Sequence, residues 1–137
     1  VADESIRVQG LADLRRELKA LNLTEDLKDA NNRVAQLVAD EAEKKARALG
    51  RMEAKAAESL KANRAQSKAT VSIGGARYPF ALGAEFGSFR FKQFRSWTGS
   101  NEGSGYWLWP AIRETRERVI EMYGDEIEKL TAKAFPD

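Results

Sequence analysis

The chain has 137 residues, enough for one domain that buries about two-thirds of its unfolded surface. It contains no cysteine and no histidine, which excludes disulfides, thiolate and imidazole metal sites and most nucleophile triads. The net charge of +2 divides unevenly, with 6 basic and 10 acidic side chains over residues 1–43, 9 and 2 over 44–77, and 8 and 9 over 78–137.

Leu11, Leu14, Leu18 and Leu21 recur at helical spacing and predict a short amphipathic helix over 10–21. Thr24 reads as an N-cap, with Glu25 and Asp26 in the first turn, where the helix dipole favours negative charge. Leu27, Val34, Leu37, Val38, Ala42, Ala46 and Leu49 then mark one face of a long helix. Gly50 interrupts the pattern, and Ala54, Ala57 and Leu60 extend it to about residue 63. This zone is rich in alanine, lysine and glutamate and poor in large side chains, so bulk must come from elsewhere.

Thr70, Val71, Ser72 and Ile73 alternate with period two, and Gly74-Gly75 follows as a hairpin signal. A return strand is therefore expected over 76–86, with Pro79 near its start and Gly83 as a bulge. TGSNEGSG at 98–105 reads as a flexible loop. Pro110 opens a last helix at its first position, with Ile112, Val119, Tyr123, Ile127, Leu130 and Ala134 on one face, ending before Pro136. The expected fold is a single α+β domain over 1–137: helical from 10 to 64, β-rich from 70 to 97, a loop over 98–105 and a helix over 110–134. Long N-terminal helices and the C-terminal helix would pack on a small antiparallel sheet. No apolar run approaches the roughly 20 residues that span a bilayer, and the polar start is unlike a signal segment, so no membrane partner is expected.

Function has to be sought in 78–97, YPFALGAEFGSFRFKQFRSW, where 7 of 20 residues are aromatic although none precedes Tyr78. Glu85 among these rings could be a carboxylate with a raised pKa, but no second acid stands at helical or strand spacing from it. The weightier reading is structural: Glu85 ends a strand and bonds to a backbone N–H or to an arginine such as Arg77 or Arg113. No catalytic residue, cofactor or metal is expected, and the chain is not read as an enzyme. Arg90, Lys92 and Arg95 interleaved with Phe89, Phe91, Phe94 and Trp97, together with the basic stretch 44–77, allow non-specific nucleic-acid binding. The same alternation describes a half-buried strand, and the pI near 8.9 is only mildly basic. Gly99, Gly103 and Gly105 lack the strand–loop–helix context of a phosphate loop.

The stretches Arg77-Tyr78-Pro79-Phe80-Ala81, Glu85-Phe86-Gly87-Ser88 and Tyr106-Trp107-Leu108-Trp109-Pro110-Ala111-Ile112-Arg113, in that order, resemble the HK97 gp10-like family of tailed-bacteriophage proteins. Gly74-Gly75-Ala76-Arg77 and Lys92-Gln93-Phe94 look closest to versions from phages of actinobacteria. The resemblance runs from about residue 55 to the end. Many relatives carry a proline and glycine ahead of their Leu-x-x-Ser segment, where Arg51-Met52-Glu53-Ala54 here continues the helix toward Leu60.

What the resemblance implies is a structural subunit of the virion neck, assembled in the host cytoplasm. Six identical copies would ring the DNA channel between a filled capsid and a long non-contractile tail. Its partners would be further copies, the neighbouring connector and tail proteins, and passing DNA without sequence specificity. A tail terminator and a head-closure stopper are the alternatives within that neighbourhood. On this reading Tyr78, Phe80, Phe86, Trp107 and Trp109 build the core and Glu85, Gly87 and Pro110 shape the family motif. Phe89, Arg90, Phe91, Lys92, Phe94, Arg95 and Trp97 are the candidates for contact with other subunits.

Overall fold

The computed structural model describes residues 3–6, 16, 19, 23–101 and 103–135. The helix expected over 10–21 lies outside them except for Arg16 and Lys19, both helical. In chain order come β1 (Asp3–Ile6), α1 (Thr24–Leu49), α2 (Arg51–Ala56), a 3-10 turn (Ala57–Ser59), β2 (Lys61–Ala62), β3 (Ala69–Ser72), α3 (Ala81–Phe86) and α4 (Leu108–Ala134). The fold is α+β, with two long helices packed beside a small antiparallel sheet ordered β1-β3-β2.

The alanines of α1 explain how closely its partner can approach. Ala35, Ala39, Ala42 and Ala46 are buried with Val34 and Val38, and α4 meets them with Ala111, Val119 and Tyr123. The two helices run antiparallel. Lys133 reaches back to Asp26 at 2.6 Å, Arg33 binds Glu126, and Lys45 pairs with Glu114. Trp107, fully buried, supplies the bulk that the alanines lack, and Val71 and Ile73 close the core from the sheet side. A second small cluster of Leu27, Ala30 and Leu130 seals the far end of the helix pair.

Two asparagines on α1 fasten the connection between β2 and β3. Asn31 is buried and donates to the carbonyls of Ala65 (2.6 Å) and Gln66 (3.1 Å), while its oxygen accepts from the Tyr123 hydroxyl. Burial pushes the Tyr123 pKa up to about 12, so the phenol stays protonated as that donor. Asn32 donates to Ala62 O at 3.0 Å. Arg64 at the loop's edge bridges Asp29 (2.7 Å) and Glu25 (2.6 Å).

Several expectations are corrected. The return strand over 76–86 is absent, because both edges of β3 are already occupied. Asp3–Ile6 pairs along one side from Asp3↔Ser72 to Ile6↔Ala69, and Lys61 and Ala62 pair along the other. The chain after Gly75 instead makes two turns, with Tyr78 N–H bonded to Gly75 O and Ala81 N–H to Tyr78 O, and enters α3. The span 70–97 is thus not β-rich: its strand ends at Ser72. The long helix does not reach residue 63 either. It stops at Leu49; Gly50 and Arg51 both have positive φ (75° and 51°), and α2 with its 3-10 turn leads into β2. Thr24 is the first helical residue, Leu23 is the N-cap, and no side chain caps that end. Finally, α4 opens at Leu108, so Pro110 occupies its third position.

Candidate functional site

Two of the sequence motifs, those that hold Glu85 and Tyr106–Pro110, meet at the start of α4. A helix leaves its first N–H groups without intrahelical partners, and here those groups are buried. Glu85, on α3 and fully buried, accepts from all of them: Oε1 from Tyr106 N–H (3.2 Å), Trp107 N–H (2.9 Å) and Leu108 N–H (2.8 Å), and Oε2 from Trp109 N–H (2.7 Å). Tyr106 N–H also reaches Glu85 O at 2.8 Å, and Ala111 N–H begins the helical ladder on Trp107 O. Pro110 has no N–H to satisfy. The donor inventory of this helix end therefore closes without a water or a local cap residue.

The carboxylate sits where the helix dipole is positive. Burial pushes its pKa up, and the four backbone N–H bonds pull it the other way. Gly105, at φ 91°, lets the carboxylate in, since a Cβ there would stand 2.8 Å from Glu85 Cδ. Glu85 was expected to bond to backbone N–H or an arginine, and backbone N–H is what it meets. It does so from a helix rather than from a strand end. Arg113 instead donates to Ser104 O at 2.8 Å. With its oxygens engaged by four donors, Glu85 is an organising acceptor and not a base poised for a substrate.

The other sequence candidates divide into an internal brace and an outward face. Gly87 has φ 83°, and a Cβ on it would collide with the Ser96 carbonyl, so the two ends of the segment 88–97 touch. Ser88 N–H bonds to Arg95 O (2.9 Å), the Ser88 hydroxyl accepts from Arg90 and Phe91 N–H, and the Tyr106 hydroxyl donates to Ser96 O (2.7 Å). This is a compact Ω-type loop. Phe94 lies across Gly83, where a Cβ would come within 2.7 Å of its ring. Arg95 bonds to buried Glu53 at 2.9 Å and stacks over Tyr106 at 5.8 Å from the ring centre. Arg95 and Phe94, expected at a subunit contact, thus hold the loop to α2 and α3.

Phe89, Phe91 and Trp97 face outward, 89%, 53% and 39% exposed, and Leu82 on α3 is 43% exposed. Trp97 links the two sets, its ring centre 6.3 Å from buried Phe86 and 5.8 Å from Phe89. Arg90 lies over the Phe91 ring at 5.9 Å, and Lys92 is exposed. The expected core set needs correction too. Phe86 and Trp107 are buried, Tyr78 and Phe80 only half-buried against the core, and Trp109 half-buried. The loop 98–105 is tied at both ends, with Thr98 N–H on Phe86 O (2.8 Å) and Gly105 N–H on the Thr98 hydroxyl (3.0 Å).

Sequence reasoning missed Glu53, Asn31 and the Arg33–Glu126 pair. A buried glutamate or asparagine on a helix carries no local signal when its partner lies 34 to 93 residues away. Among the described residues no group of three or more acidic side chains could hold a metal ion, and no helix is long and apolar enough to cross a membrane. Compared with known proteins, the chain matches no family model, no curated protein and no solved structure.

Proposed function

We propose that this chain is a structural subunit of a phage head–tail connector, a ring that joins the DNA-filled capsid to a long non-contractile tail and encloses the DNA channel. The observation that carries the reading is the braced loop 88–97. It is fixed to the body through Gly87, Phe94, Arg95 and Tyr106, yet turns the rings of Phe89 and Phe91 into solvent. Burying such a ring in a contact is worth roughly 1.5–3 kcal/mol, and a loop already fixed forfeits little entropy on docking. Rigid, exposed and aromatic is what an assembly contact requires. The resemblance of the short sequence motifs to the HK97 gp10-like family is what supports putting that assembly at the head–tail joint.

The nucleic-acid reading is weakened by how four of the nine cations in the basic stretch are used. Lys45 pairs with Glu114, Arg47 with Glu43 and Arg64 with Glu25 and Asp29, while Lys55 lies over the Phe80 ring. Cations engaged within the fold are poorly placed to displace counterions from phosphates.

Electron microscopy of lysates from a phage with this gene interrupted tests the proposal. Full heads beside finished, unattached tails are the expected result. Tails of uncontrolled length would move the protein to the terminator ring. Normal infectious particles would overturn the connector role.

A further inference from the structure

The loop is one half of a contact, and α4 bears a surface that fits as the other. Glu117, Glu121, Asp125 and Glu128 are spaced four, four and three residues apart, which on a helix of 3.6 residues per turn draws one stripe. All four are exposed, on the side of α4 turned away from buried Ala111, Thr115, Val119 and Leu130. Among the described residues none of the four carboxylates forms an ion pair, although Arg118 and Lys129 border the stripe. The surface also has an apolar component. Ile120 is 66% exposed at its edge, and at Gly124 a Cβ would meet nothing within 4 Å.

Acid with an exposed isoleucine is the complement of a loop that offers Arg90 and Lys92 between phenylalanine rings. The loop cannot reach the far half of this stripe within its own chain. Its foot is held at the opening of α4, where the Tyr106 hydroxyl bonds Ser96 O. Gly124 lies 16 residues beyond Leu108, about 24 Å along the axis at 1.5 Å per residue. A ten-residue loop whose ends touch extends at most about 17 Å. Only another molecule can therefore cover Gly124 and the carboxylates beyond it. We infer that loop 88–97 of one copy docks on the acidic stripe of α4 in a second copy, Arg90 and Lys92 facing the carboxylates and the two phenylalanines covering Ile120 and Gly124. When each copy offers its loop to one neighbour and its stripe to another, the contact is heterologous and repeats head to tail, as a ring requires. The inference deepens the connector reading and rests on it for the identity of the partner.

The absence of cysteine makes the test clean. A Gln93→Cys, Gly124→Cys double variant places one thiol in the loop and one on the stripe without removing a charge or an aromatic ring. Oxidation of the concentrated full chain is expected to give a ladder of disulfide-linked multimers, at least tenfold more than a Gln93→Cys, Lys44→Cys control. Adding Glu121→Lys and Asp125→Lys should abolish the ladder. Equal cross-linking of the two pairs, no multimer with either, or a ladder indifferent to charge reversal would each overturn the contact. The outcome is separable from the connector reading: no ladder from a protein whose loss leaves tails unattached removes only this interface, and normal virions remove only the connector role.

Discussion

At the scale of single residues the decisive group is Glu85. Replacing it by alanine leaves the N–H groups of Tyr106 to Trp109 without their carboxylate and opens a cavity beside Trp107. The expected cost is on the order of 3–5 kcal/mol, a fall of roughly 10–15 °C in melting temperature followed by circular dichroism. Glu85→Gln keeps the volume but turns an NH2 donor toward backbone donors, and should recover no more than about half of that loss. A melting temperature unchanged in Glu85→Ala would mean that other groups cap α4. Gly105→Ala attacks the same contact from the other side, combining a left-handed backbone with a Cβ inside the space of the carboxylate. It should cost about 2–4 kcal/mol, and an alanine tolerated there would contradict the close approach. The sequence made part of this visible. A lone carboxylate among rings implied a backbone or arginine partner, but four donors lying 21 to 24 residues away could not be read from spacing.

At the scale of elements, α1, α4 and the strand β3 were legible, and the partners of β3 in the sheet were not. Alanine- and leucine-based periodicity reports which face of a helix is buried, so Leu27, Val34, Val38, Val119, Tyr123 and Leu130 were readable as core. Strand pairing is a non-local competition. Gly74-Gly75 signals a hairpin only if an edge of β3 is vacant, and β1 and β2 fill both. The α1–α4 seam offers its own test through Arg33 and Glu126, bonded at 3.0 and 2.5 Å. The hydrogen bonds from Arg33 hold the Glu126 carboxyl below its ordinary range. A carboxylate lowered on folding contributes stability that is fully present above its unfolded pKa, near 4.5, and is lost as pH falls through the folded value. Glu85, raised on folding, acts with the opposite sign, so the comparison must be between wild type and Glu126→Gln. At neutral pH the variant should be less stable by about 1 kcal/mol, the half-exposed arginine keeping the figure modest. As pH falls below about 4.5 and through the lowered folded value, the two melting curves should converge. A gap that persists into acid would assign the loss to packing.

At the scale of the whole molecule, the rings absent from the first 77 residues have two separate duties. Trp107 fills the space beside an alanine-rich helix and Phe86 is buried with Trp97 against its ring, whereas Phe89 and Phe91 point away from a loop that the body holds in place. The sequence located this aromatic segment but could not divide it, because burial depends on where Gly83, Gly87 and Tyr106 bring the chain together. The division predicts that Phe89→Ser with Phe91→Ser leaves the monomer's stability within about 0.5 kcal/mol of wild type, as expected for surface positions. Assembly should suffer instead. The most direct measurement adds purified protein to a lysate of the gene-interrupted phage and counts plaques. Wild-type protein should join heads to tails and raise infectivity at least a hundredfold, while the equally folded double-serine variant should not. Equal rescue by that variant would contradict the assignment of the exposed loop to the joint.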